Sequence, residues 1–364
     1  MARRPFDIGG LSVKPGQRRE LGLPIARLVT GAEVTLPIVV FHGRTDGPTV
    51  WIDAAIHGDE VCGVEIVRRV LADLHARQIR GTLIAVPIVN VHGFMTRDRY
   101  LPDRRDLNRA FPGSPRGSLA SQIAHLMMTE VVARCEVGID LHTGSDHRAN
   151  LPHIRADLDD PETRKLAEVF GTSVMVHAQL RDGSLRQAAS DVGARVLVME
   201  GGEAWRWDPV SIASGVSGIR RVLAHIGMID PDLTMTSGLD PLESRKTSWA
   251  RARRSGILQV YVPLGSQVTT GDLLGEIFDS FGNRLGGVRA QLSGVLIGRS
   301  ESPLVNRGDA VAHVASIVDP DATPPMLKPD VGGDPGDEIG DDEIDDDEID
   351  AVPPVLRDDI DIEH

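Results

Sequence analysis

Hydrophobic positions along this chain of 364 residues recur with two different periods, and the sharpest change between them lies at Val50–Arg77. Up to Ile56 the residues are apolar apart from Asp53, with β-branched Val50, Ile52 and Ile56 among them, the pattern of a buried strand; from Glu60 onward Val61, Val64, Val67, Val70, Leu71 and Leu74 recur at helical spacing. The switch places His57 at the strand end and Glu60 in the first helical turn. Gly81–Asn90 is a second apolar strand, so strand, helix and strand form a βαβ unit with a right-handed crossover. An α/β sheet of mostly parallel strands follows.

The same reading extends in both directions. Leu11–Val50 predicts β segments separated by turns, with a strand at Val34–Phe41 and its turn at Gly43–Pro48. Asn90–Gly117 has no sustained period and is rich in Arg, Asp, Pro and Gly, which makes it a long loop near the carboxyl ends of strands. Helical spacing returns at Ser118–Arg134, at Asp160–Phe170 and at Val210–Ile229. Short apolar strands are expected up to His142, at Val174–His177 and at Ala194–Glu200. The last of these delivers Glu200 to its carboxyl end just before two glycines, where ligand chemistry collects in open α/β sheets.

Near Thr247 the texture changes to short β segments with glycine turns. Ser255-Gly-Ile-Leu with Gly271-Asp-Leu-Leu returns as Ser293-Gly-Val-Leu with Gly308-Asp-Ala-Val, offset by 37 or 38 residues. The halves resemble those of lipoyl and biotinyl carrier domains, but no lysine lies between Lys246 and Lys328 to carry the cofactor. The expected organisation is an α/β domain over 1–245, a small all-β module over 246–318 and a tail over 319–364. The tail holds DEIGDDEIDDDEID and too few apolar residues for a core, so disorder is expected.

Charge changes the picture only through its location. The net charge is −14, yet residues 330–364 carry sixteen Asp or Glu against one Arg, which leaves the body at +1. No basic stripe with interleaved aromatics suggests a nucleic-acid partner. The longest plainly apolar run, Leu83–Val89, falls far short of the roughly 20 residues that cross a bilayer, and no apolar stretch follows the basic N-terminus as a secretory signal requires. Cys62 and Cys135 are too few for a disulfide framework, which points to a reducing cytoplasm. A homo-oligomer is left open. Cys62, close to the HGDE turn, reads as a packing residue.

Imidazole nitrogen and carboxylate oxygen suit Zn2+, and a His and a Glu three apart across a strand-to-helix junction can aim at one point. His142 is the best third ligand, and alternation puts Asp140 on its face, where it could hold the second nitrogen of a ligand histidine. By itself the pair also fits a first-turn helix acid beside a surface histidine.

AIHGDE at Ala55–Glu60, DLNRAFPG at Asp106–Gly113, DLHTG at Asp140–Gly144 and MEGG at Met199–Gly202 occur in that order. The series resembles the succinylglutamate desuccinylase/aspartoacylase family, relatives of the zinc carboxypeptidases, over Lys14 to Ser316. The resemblance implies a three-layer α/β fold with a central mostly parallel or mixed sheet, followed by the β module as a cap at the mouth of the site. It implies one Zn2+ per chain on His57, Glu60 and His142, activating a water. Glu200 would be the general base, with Glu203 as the alternative. Arg99 would stabilise the oxyanion, with Arg97, Arg104 and Arg105 as neighbouring competitors. Asn108 and Arg109 would engage a substrate carboxylate. His92, His147 and His153 are expected to be loop histidines, and His153 is the one placed best for substrate contact.

The expected function is a zinc-dependent deacylase that hydrolyses the amide, or an ester, of an N-acylated amino acid or related small amine. Two alternatives stand beside it: a metallocarboxypeptidase on the same ligands, and a non-catalytic ligand-binding scaffold with an acidic interaction tail. Removing residues 330–364 is expected to leave hydrolysis of a small substrate intact, as an amine-release assay on the truncated chain would show; lost turnover would make the tail part of the enzyme.

Overall fold

The protein is described by a computed structural model covering residues 3–27, 29–145, 147–231, 238–317 and Pro325. The tail expected over 319–364 lies outside these residues, Pro325 excepted. β1 (Phe6–Ile8) and β2 (Leu11–Val13) form a separate antiparallel pair. Next come β3 (Gln17–Arg27), β4 (Glu33–His42), β5 (Thr45–Ala54), α1 (Val61–Ala72) and β6 (Arg80–Val86). α2 (Val91–Thr96) and α3 (Leu119–Leu126) precede β7 (Val137–Gly144) and β8 (Arg148–Ala156). α4 (Pro161–Phe170), β9 (Val174–His177), α5 (Leu185–Asp191), β10 (Arg195–Glu203) and α6 (Pro209–His225) follow.

At the centre of the main sheet β6, β5, β7 and β10 run parallel, while β3, β4 and β8 join antiparallel at the flanks. The sheet is therefore mixed, with its parallel part where the βαβ pattern predicts it. Strand alternation divides its residues between two cores. Ile52, Ile139 and Leu197 face Val67 of α1, Phe170 of α4 and Ile219 of α6. Trp51, Ile84 and Val196 belong to the opposite core, with Ile123 of α3 and Leu185 of α5. Covering both faces with helices explains why inner stretches of the central strands, such as Val50–Ile52 and Leu83–Val86, are apolar and buried on both faces.

The elements differ from the sequence expectation in several places: Thr45–Pro48 of the expected turn belongs to β5, the strand expected over Gly81–Asn90 ends at Val86, and the strand expected to end at Glu200 runs to Glu203. Glu60 is the residue before α1 rather than a member of its first turn, with φ −89° and ψ 74°. The loop at Asn90–Gly117 contains α2 and a single 3-10 turn at Leu107–Arg109, whose first backbone N–H groups are met by Asn90 and Asp106 side chains. The helix expected over Ser118–Arg134 keeps α geometry only to Leu126 and continues as a π turn and a 3-10 turn. Thr129 donates its hydroxyl back to the His125 carbonyl at 2.9 Å, a bond that bends helices.

Beyond the α/β part lie β11 (Leu242–Ser244), β12 (Thr247–Arg251), β13 (Gly256–Val260), β14 (Gln267–Val268) and β15 (Leu273–Phe278), then β16 (Arg284–Arg289), β17 (Gly294–Ser300), β18 (Leu304–Val305) and β19 (Ala310–Ala315). β11 pairs in parallel with β9, while the strands from β12 onward enclose a core of their own that includes Leu258, Ile277, Val288, Leu296 and Val311. The sequence repeat is a structural one. Asp272 accepts from Thr269 N–H and Asp309 from Asn306 N–H, both at 2.7 Å, and Gly271 and Gly308 share a left-handed backbone at φ 97° and 99°. β17 pairs with β8, so the main sheet runs on without a break into this region. Among the described residues no helix is long and apolar enough to cross a membrane.

One close approach fixes the middle of the sheet. A Cβ on Gly138 of β7 would overlap the indole of fully buried Trp51, whose Nε1–H is held by Asp53 at 2.7 Å. Gly138→Ala is expected to destabilise the fold by about 1–3 kcal/mol through overpacking, read as a lowered unfolding midpoint in urea with unchanged slope.

Candidate metal and catalytic centre

β5 ends at Ala54, and the chain turns sharply through Ala55, whose φ is 52°. Gly58 follows because the turn lies against α2: a Cβ there would overlap the Gly93 backbone. This packing carries His57 and Glu60 over the carboxyl end of β5. β7 adjoins β5 in parallel register and delivers His142 to the same edge.

The donor atoms of His57, Glu60 and His142 all lie within 4.8 Å of one another. His57 Nδ1 is 2.8 Å from Glu60 Oε1, and His142 Nδ1 is 2.8 Å from Glu60 Oε2. Each ring turns its other nitrogen to a second carboxylate. His57 Nε2 is 3.2 Å from Asp106 Oδ1, and His142 Nε2 is 2.9 Å from Asp140 Oδ1, although the latter pair is not aligned as a hydrogen bond. Two imidazoles and one carboxylate, with outer carboxylates orienting the rings, fit the donor chemistry of a Zn2+ site.

The electrostatics follow from burial and charge together. Burial works to raise the Glu60 carboxyl, but His57 and His142 outweigh it and hold the group well below the usual carboxylate range. Burial would lower His142, yet the charges of Asp140 and Glu60 carry it well above the ordinary histidine value, and His57 is raised by Glu60 and Asp106 in the same way. Burial, with the neighbouring charge of Asp140, pushes the Asp53 carboxyl well up.

These groups open into a cleft of about 590 Å3 that Arg99, Asn108, Arg109 and Glu200 also line. Arg99 lies 3.5 Å from Glu60 Oε1 and 3.2 Å from Asp106 Oδ2 and donates to the Ser145 hydroxyl. Arg97, Arg104 and Arg105 are exposed and do not line the cleft. Glu200 is the register partner of His142 across β10 and β7. Its carboxylate accepts from Asn150 Nδ2 at 3.0 Å and from Arg155 at 3.3 Å. Glu203 leaves the cleft and lines a smaller pocket beside His147 and Arg206. Asn108 Oδ1 accepts the Leu185 N–H at 2.9 Å, tying the Asp106–Arg109 turn to the start of α5. His92 lies in α2, and the ring of His147 packs on Trp205. His153 is buried at the cleft wall with Nδ1 2.7 Å from the Leu151 carbonyl.

Several residues at the site went unread in the sequence. Asp106 opens the DLNR motif, and its proximity to His57 needs the fold of the preceding loop. Ser145 donates to Glu60 at 2.8 Å. Thr247, Trp249 and His313 reach the cleft from β12 and β19, across a strand pairing that no local pattern reveals. The only local signal was DLHTGS itself, since a serine just after a ligand-bearing strand end is placed to meet a buried carboxylate.

A mixed α/β sheet that gathers His2Glu donors at the carboxyl edge of its parallel strands defines a hydrolase-like class of fold. Comparison with known proteins narrows it. The succinylglutamate desuccinylase/aspartoacylase catalytic domain matches residues 46–226. Over 300 residues, 79% of this chain and 87% of the relative, the sequence is 29% identical to an N-alpha-acetyl-L-2,4-diaminobutyric acid deacetylase from Halomonas elongata. A succinylglutamate desuccinylase/aspartoacylase structure from Rhodobacter sphaeroides is 27% identical with a TM-score of 0.75, covering 83% of this chain and 96% of that one. The product-bound ectoine utilization protein EutE (DoeB) from Ruegeria pomeroyi is 25% identical with a TM-score of 0.76, covering 87% and 98%. The chain belongs to the succinylglutamate desuccinylase/aspartoacylase family.

Cys62 stands apart from this chemistry. Burial pushes its thiol up to about 11, and its sulfur lies 3.0 Å from the Arg206 carbonyl. Cys135 is buried and raised as well. Native protein at pH 8 is expected to show no fast-reacting thiol with an aromatic disulfide reagent, and two after denaturation; a rapid native reaction would contradict the packing role.

Proposed function

We propose that the chain is a zinc-dependent deacylase that hydrolyses the amide bond of an N-acylated amino acid. The observation carrying this reading is the convergence of His57, Glu60 and His142 donor atoms within 4.8 Å, in a cleft that also holds Glu200. Zn2+ bound there would supply a Lewis acid for a water molecule and for the acyl carbonyl.

The chain's own residues supply the remaining parts. Glu200 takes the proton of the attacking water and returns it to the amine nitrogen as the C–N bond breaks, leaving a carboxylic acid and a free amine. Arg99 sets a guanidinium beside the donor cluster, where negative charge develops on the carbonyl oxygen. Asn108 and Arg109 hold the amino-acid carboxylate. Arg148, Arg155, Arg181 and Arg186 line the same cleft, and so many guanidinium groups suit a substrate bearing carboxylate. The deacetylase name of the Halomonas elongata relative favours an N-acyl amino acid over a peptide C-terminus.

Zinc content and turnover test this together. His57→Ala or Glu60→Ala is expected to lose the zinc that the purified wild-type chain carries, measured by atomic emission. Glu200→Gln should retain zinc and lose turnover by about a hundredfold or more. The substrate panel is Nα-acetyl-L-2,4-diaminobutyrate, N-acetyl-L-aspartate and N-succinyl-L-glutamate, with release of free amine as readout. Failure of the zinc-loaded wild type to release amine from any of them would count against the deacylase reading, and unchanged zinc in both ligand variants would refute the metal site.

A further inference from the structure

The assigned chemistry leaves unexplained how the Glu200 carboxylate is aimed. β10 and β8 pair antiparallel, with Glu200 opposite His153 and Gly202 opposite Asn150. One residue of β10, Gly201, thus faces two of β8, so β8 carries one extra residue at Leu151–Pro152. A bulge of this kind reverses the alternation of the strand. It brings Asn150 and His153 to the face of Glu200, where regular pairing would turn one of them away. The extra residue is held in place from within, since His153 Nδ1 is 2.7 Å from the Leu151 carbonyl.

Asn150 also faces the C-terminal β region. Its register partner on β17 is Gly298, and the partner of Gly298 on β19 is His313. His313 stacks on Trp249 of β12, with ring centroids 4.4 Å apart and planes at 7°. A Cβ on Gly298 would lie 2.9 Å from Asn150 Oδ1 and 3.3 Å from His313 Cβ. The missing side chain at 298 is therefore the space that the Asn150 amide occupies. The row across four strands ends on the carboxylate, with Asn150 Nδ2 3.0 Å from Glu200 Oε2.

We infer that Asn150 is a positioning residue for the Glu200 carboxylate, turned towards it by the bulge at Leu151–Pro152 and kept in place by the gap at Gly298. This rests on the reading of Glu200 as the base. With Nδ2 donated to one carboxylate oxygen and Arg155 at the other, rotation about the terminal bond of Glu200 is restricted. One oxygen then keeps the orientation that proton transfer needs. The β region acts on catalysis through this contact, beyond lining the cleft.

The experiment uses the zinc-loaded full chain and the panel substrate that the wild type hydrolyses fastest, with Glu200→Gln, Asn150→Ala, Gly298→Ala and the Asn150→Ala/Gly298→Ala pair. Asn150→Ala is expected to lower kcat about tenfold to a hundredfold, the scale of one hydrogen bond to a charged group, with KM changed less than about twofold. Gly298→Ala, which touches no reacting atom, should lower kcat in the same direction. The double variant should be no slower than Asn150→Ala, because the two changes act through one contact. Near wild-type kcat in Asn150→Ala, or a loss confined to KM, overturns the positioning role while an inactive Glu200→Gln leaves the base reading standing. Wild-type turnover in Glu200→Gln removes both. Should Gly298→Ala fail to fold, Asn150→Ala decides alone through its split between kcat and KM.

Discussion

A carboxylate that is 1% exposed is tolerated in a protein interior only if opposite charge and hydrogen-bond donors surround it, and Glu60 sets this demand at the centre of the molecule. Its two oxygens meet His57, His142, Ser145 and the Thr143 N–H. Each imidazole in turn needs a carboxylate on its far side, which draws in Asp106 and Asp140. Asp140 crowds Asp53, whose other contact is the Trp51 indole. The polar set thus extends inward along one face of β5 and β7 until it meets the core at Trp51. It must be placed as a unit, because a group missing from it would leave another buried and unpaired.

The division of the sheet into two faces is what allows such a set to exist. On β7, Ile139 and Leu141 point into the core under α1 and α6, while Gly138, Asp140 and His142 point the other way. On β10, Leu197 and Met199 share the first core, and Val198 and Glu200 the cleft. One face is closed by helices along its full length, and the other passes from apolar packing at Trp51 to polar chemistry at the strand ends. Period-2 alternation therefore does two jobs on the same strand. A one-residue slip of β7 would exchange Leu141 for His142 and destroy core and site together.

Much of this was legible in the sequence, and the parts that were not share a cause. The switch of period at Val50–Arg77 located β5, α1 and the turn between them, and the parallel pairing of β5 with β6 follows from that βαβ unit. His57, Glu60, His142 and Glu200 were readable because their motifs fall at changes of local pattern, His57 and Glu60 in the turn between β5 and α1, His142 and Glu200 near the ends of β7 and β10. Asp106 was not, because its contact with His57 spans 49 residues through a loop without period. The choice of Arg99 over Arg97 was likewise a matter of loop geometry: Arg97 takes the left-handed backbone that ends α2, and its carbonyl accepts from Trp205 Nε1. The helical stretch after Ser118 runs to Arg134 as expected, but its change from α to π and 3-10 geometry after Leu126 leaves no mark on the spacing.

The β region shows the same limit from the other side. Its repeat was visible because the two turns obey one local rule, an aspartate accepting from the N–H three residues earlier with a left-handed glycine between them. Where those halves meet the α/β part was invisible, since β17 joins β8 through backbone hydrogen bonds that any residues can make. What makes the junction specific is small: an extra residue in β8 and an absent side chain at Gly298. A bulge and a glycine leave almost no trace in hydrophobic pattern, yet they decide which way Asn150 points. At this junction the geometry beside Glu200 is set by backbone count and by space, properties a motif search reads poorly, while the donor cluster at His57, Glu60 and His142 is set by residue type, which it reads well.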